Sequence, residues 1–121
     1  MYKENYKIQR EIFGEINHYT LTTLYNIASE FEKQQQLEQA EAYQIRAYSG
    51  YKQLQGIDHI NTLKGAVQLI NIYINQYKIT AAEKIINENK KAILANKAPE
   101  DWFDKASYAE VKRFLKLSDK Q

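Results

Sequence analysis

The feature that most constrains this chain is a match to itself at an offset of 42 residues. Gly14 pairs with Gly56, Thr20 with Thr62, Leu21 with Leu63, Gln34 with Gln76, Ala40 with Ala82 and Glu41 with Glu83. Positions that differ keep their character: Ile27 with Leu69, Phe31 with Tyr73, Leu37 with Ile79, Tyr43 with Ile85. A gap-free period of this length marks a supersecondary unit that cannot cover its own apolar face and must stack on a neighbour.

Within each unit the apolar spacing is helical. One stripe runs from Leu21 through Leu24, Ile27, Ala28 and Phe31, and a second from Leu37 through Ala40, Tyr43, Ala47, Tyr51 and Leu54. The same two stripes return as Leu63, Leu69, Ile70 and Tyr73, then Ile79, Ala82, Ile85, Ile86 and Ile93. One proline and four glycines leave the long stretches unbroken, which argues against a sheet. Segments 14–19 and 56–61 punctuate the units: glycine closes a helix in the left-handed conformation, and Thr20 and Thr62 lie near helix starts.

Beyond Leu94 the pattern changes. Asn96 ends a helix and Pro99 suits the first turn of another, whose apolar residues are Trp102, Phe103, Ala106, Val111, Phe114 and Leu115. Ser107 with Glu110 reads as a capping box that would divide this stretch, so one helix and two both remain open. At the other end, residues 2–13 align with residues 44–55, the latter half of a second helix. The repeat therefore starts in mid-unit, and its first face is expected to be covered by more repeat or by another subunit. A single helical domain over residues 1–121 follows, divided as 1–13, a partial repeat helix; 14–55, the first unit; 56–97, the second; and 98–121, a C-terminal capping helix and tail.

The run from Thr20 through Leu21, Leu24, Tyr25 and Ile27 to Ala28, with Phe31, Leu37, Glu38, Ala40, Glu41, Ala42 and Ala47, then Gly56, Asp58, His59 and Thr62, resembles the long-helix tetratricopeptide repeats of kinesin light chains. The resemblance spans residues 14–94 and implies an all-α solenoid of antiparallel helix pairs that serves as a protein-interaction scaffold. It places the first helix of each pair on a concave face. Thr22, Tyr25, Asn26, Ser29 and Lys33 are thereby nominated to hold a partner, with Lys64, Val67, Gln68, Asn71 and Asn75 as their counterparts. Amide, hydroxyl and ammonium groups at these positions suit an extended peptide backbone or an acidic side chain. Three departures stand out: Ile70 occupies the position of small Ala28, Asn89 that of Ala47, and Gln35 and Tyr77 stand where glycine usually turns the first helix into the second.

Composition narrows the function classes. There is no cysteine and there are two histidines, His18 and His59, both in the turns between units, so neither a disulfide framework nor a thiolate or histidine-rich metal site is indicated. Phosphate-cradling glycine loops and nucleophile–base motifs are absent, which leaves a non-enzymatic reading with no cofactor. The first residues lack the apolar run of a signal peptide, and a cytoplasmic protein is the expectation. A formal charge of +2 points toward neither nucleic acid nor membrane. Two further readings stay beside the scaffold. One is a structural subunit of a larger assembly, held by its ends and outer helical faces, including self-association through the N-terminal helix. The other is a basic terminal helix, Lys112, Arg113, Lys116 and Lys120 around Phe114, that binds nucleic acid, membrane or a filament.

Overall fold

The computed structural model describes residue 7, residue 14 and residues 16–117, so the expected partial helix before Gly14, apart from residue 7, and the tail with Lys120 lie outside the described residues. The described residues are all-α, with no strand among them. Two helical hairpins, α1 (His18–Lys33) with α2 (Leu37–Gln55) and α3 (Ile60–Asn75) with α4 (Ile79–Glu88), lead into a short α5 (Lys90–Leu94), a 3₁₀ turn (Glu100–Trp102) and α6 (Lys105–Leu115).

The caps repeat along with the helices. Asn17 and His59, 42 apart, are extended N-caps whose side chains accept from the backbone N–H two residues on, at 2.9 and 3.1 Å. Thr20 and Thr62 each donate a hydroxyl to the carbonyl of a left-handed glycine six residues earlier, Gly14 and Gly56, at 3.0 and 2.7 Å. Gln35 and Tyr77 turn the first helices into the second at φ 61° and 60°, in the left-handed conformation that usually selects glycine. The following N–H groups, of Gln36 and Lys78, donate back to Phe31 and Tyr73 at 2.9 Å. This closes orphan helix carbonyls by the Schellman pattern, which recurs at Asn96 and Lys116.

Two layers result. One is made by α1 and α3, joined by a hydrogen bond from Gln68 to Glu32. The other is made by α2 and α4, joined where Tyr48 and Lys52 meet Glu88. Leu21, Leu24, Ile27, Ala47 and Tyr51 form the first unit's core. A larger cluster runs from Tyr48 through Leu69, Ile70 and Ile86 to Phe103 and Val111. Ala28 and Ala40 are fully buried, as a close helix approach requires, and Gly50 is tighter still, since a Cβ there would lie 2.2 Å from Leu21 Cδ2.

Four expectations need correction. Leu54 and Ile79, assigned to core stripes, are 43% and 38% exposed, because each sits at the end of its helix beyond the reach of the facing one. The second helix of the second unit is not continuous: it breaks at Asn89. That residue's buried amide donates to the Ile85 carbonyl at 3.0 Å and competes with the helical ladder, while a second N–H reaches the Tyr48 hydroxyl at 3.0 Å. The terminal helix starts at Lys105, not Pro99, with Asp104 as its N-cap residue. Ser107 is buried inside α6 instead of capping it, and Ala106 points to solvent. No helix among the described residues is long and apolar enough to cross a membrane.

Candidate partner-binding face

The nominated residues fall into four groups. Tyr25, Asn26 and Ser29 are half-buried on α1, and the side chains of Asn26 and Ser29 have no hydrogen-bond partner among the described residues. Lys33 and Lys64 are exposed, and Gln68 is half-buried with its amide on Glu32. Thr22 is turned toward the helix behind it, sharing a 2.8 Å hydrogen bond with the Tyr51 hydroxyl. Burial pushes that hydroxyl's pKa up, with the Thr22 contact opposing the shift.

The remaining three belong to the second unit, and there the chain covers its own face. Val67 is 2% exposed and packs in the large cluster. Asn71 is 4% exposed: its Nδ2 donates to the Trp102 carbonyl at 3.0 Å and its Oδ1 accepts from the Asp104 N–H at 3.1 Å. Between those contacts Phe103 is extended, at φ −99° and ψ 144°, with its ring in the core. Asn75 adds a 2.7 Å bond to the Asp104 carboxylate. Asn71 and Asn75 therefore hold residues 102–104, and the open part of the layer is displaced toward α1.

What stays open is a cleft of about 240 Å³ lined by Tyr25, Lys64, Val67, Gln68 and Trp102. The Lys64 ammonium lies 5.7 Å from the centroid of the Trp102 ring. Beside the cleft stands Glu32, whose carboxyl pKa is raised, first by burial and then by the like charge of Asp104, against the lowering effect of the Gln68 hydrogen bond. Burial, followed by the charge of Glu32, also raises the Tyr25 hydroxyl.

Three contributors escaped the sequence reading. Glu32 is seven residues after Tyr25 and so shares its helix face, a relation the helical period alone supplies. Trp102, expected among the apolar residues of the C-terminal cap, packs against the large cluster and also lines the cleft, and Asp104 arrives through the Asn71 and Asn75 contacts. Those depend on a fold-back that carries no local signal.

Two residues of the terminal basic run, Lys112 and Arg113, contact other side chains of the chain. Arg113 bridges Glu83 at 2.6 Å and Glu110 at 2.5 Å, Lys112 lies 5.3 Å from the Tyr108 ring centroid, and Phe114 and Leu115 pack on the large cluster. His59 acts as a helix cap, and His18 lies edge-on to Tyr19 and Tyr51.

These observations define a class, an all-α protein of two repeated helix pairs closed by a C-terminal fold-back. No family model, curated protein or solved structure matches the chain.

Proposed function

We propose that this chain is a tetratricopeptide-like interaction scaffold whose α1/α3 layer docks an extended segment of a partner protein. The observation that carries the reading is Asn71. Its side-chain amide bonds the carbonyl before and the N–H after one extended residue of the chain itself, along a single edge, a two-point recognition of backbone of the kind peptide grooves employ. The equivalent position one unit earlier is Ser29, half-buried and without a hydrogen-bond partner among the described residues, with Asn26 in the same condition beside it. The recurrence of caps and turns at 42-residue spacing supports the repeat reading on which the groove depends.

Selection of a displayed library of random peptides against the folded chain tests this. Peptides that bind in a saturable manner and are lost from Ser29→Trp, a variant retaining the parent's helicity, are the expected result. A library yielding no binders, or binders indifferent to both Ser29→Trp and Asn26→Trp, contradicts the groove.

The assembly-subunit reading has one observation in its favour. Tyr77 is 88% exposed at a backbone conformation that glycine would adopt without strain, next to half-exposed Ile79. If this hairpin tip is a contact, Tyr77→Gly stabilises the isolated chain and abolishes its assembly in sedimentation. A parent that sediments as a monomer at all concentrations speaks against self-assembly through the tip.

A further inference from the structure

The cleft between α1, α3 and Trp102 carries a more specific assignment, one that rests on the scaffold reading. Glu32 accepts a hydrogen bond from Gln68 through one carboxylate oxygen, and no cation pairs with it among the described residues. Its anion is disfavoured by burial and by Asp104, so a positive group brought to it is favoured. The cleft walls add two aromatic rings, Tyr25 and Trp102. The Trp102 ring already has an ammonium 5.7 Å from its centroid, that of Lys64, which is exposed and free to swing away.

We propose that this cleft receives an arginine side chain from an extended partner segment, its guanidinium lying against the Tyr25 and Trp102 rings and ending on the Glu32 carboxylate. Arginine fits better than lysine because its planar, weakly hydrated head stacks on aromatic faces and offers a fork of donors to a carboxylate. An acidic side chain would bring a third carboxylate toward Glu32 and Asp104, which a like charge disfavours. Asn26 and Ser29 line the path of the segment's backbone, as Asn71 does for residues 102–104.

Trp102 is the only tryptophan, so its emission reports occupancy of the cleft directly. The probes are blocked tripeptides, glycine–X–glycine, with X as arginine, lysine, glutamine or glutamate. The arginine peptide is expected to give a saturable change at millimolar concentration, the lysine peptide a weaker one, and the other two none. Glu32→Gln should weaken the arginine peptide about tenfold, the scale of losing one charged hydrogen bond, whereas Glu32→Asp retains binding and Lys64→Ala strengthens it. A glutamine or glutamate peptide that binds as well as arginine, or an arginine affinity unchanged in folded Glu32→Gln, overturns the assignment. The library selection separates the two levels: binders to the α1/α3 face without arginine enrichment sink the arginine pocket and leave the scaffold standing, whereas a library without binders removes the scaffold.

Discussion

Replacing Asn71 with alanine should release the C-terminal module from the second helix pair. The side chain is 4% exposed and makes two hydrogen bonds to backbone, one to the Trp102 carbonyl and one from the Asp104 N–H. Each bond contributes about 1 kcal/mol net, and a partner group left buried without a replacement costs about 1–3 kcal/mol. Both bonds are part-buried; with one partner group left without a replacement, the total comes to about 2–4 kcal/mol. That is a large share of the roughly 5–15 kcal/mol that holds a domain together. Asn75 is the control: it bonds the same Asp104 from an exposed position, so Asn75→Ala should change stability by no more than about 0.5 kcal/mol. The assay is urea unfolding followed in parallel by far-ultraviolet ellipticity and Trp102 fluorescence. In Asn71→Ala the fluorescence transition should move to lower urea and precede the loss of helix, because Trp102 reports the fold-back while α1–α4 supply most of the helical signal. A variant within about 0.5 kcal/mol of the parent, with coincident transitions, would refute the claim that Asn71 holds the fold-back in place.

Three other outcomes follow from the same geometry. Thr20→Val and Thr62→Val remove equivalent hydroxyl bonds to Gly14 and Gly56, so thermal melts should show similar losses of about 1 kcal/mol each; a loss in only one variant would show the units are not energetically equivalent. Tyr48→Phe deletes a hydroxyl that donates to Glu88 at 2.8 Å and accepts from buried Asn89, and chemical unfolding should show a cost of about 1–2 kcal/mol; no change would mean the Asn89 amide is satisfied without it. Carboxyl carbon titrations by nuclear magnetic resonance should separate two glutamates. Glu32, raised above its ordinary 4.5, stabilises the fold below that value and loses this contribution as pH climbs through its folded pKa. For Glu88 burial alone would raise the pKa, but the Tyr48 hydroxyl and Lys52 ammonium overcome it, so its contribution is complete above 4.5 and is lost as pH falls through the lowered value. The reverse order of the two midpoints would contradict the local electrostatics.

Much of the helical framework was legible because its causes are local. Apolar period, the glycines at 14 and 56 and the threonines six residues later mark both units, and the cap positions recur with them. The break at Asn89 was not, because its amide is held by Tyr48, 41 residues away, and no local propensity records that contact. Ser107 and Glu110 had the spacing of a capping box, yet Ser107 is buried within α6 and Glu110 bonds Arg113, since the chain turns earlier to meet Asn71. The candidate face was legible only in part for the same reason. The resemblance to tetratricopeptide repeats nominated Tyr25, Asn26 and Ser29, whereas the burial of Val67 and Asn71 follows from where residues 102–104 return.

The central claim is that the α1 side of the α1/α3 layer takes a partner segment while the α3 side is held by the chain's own fold-back. Backbone amide shifts recorded during titration of a library-selected peptide test it most directly. Perturbations are expected to centre on Tyr25, Asn26, Ser29, Lys64, Gln68 and Trp102, with Asn71 and Asp104 still in contact. Perturbations centred instead on the α2/α4 layer, around Ile45, Lys52 and Lys84, would contradict it.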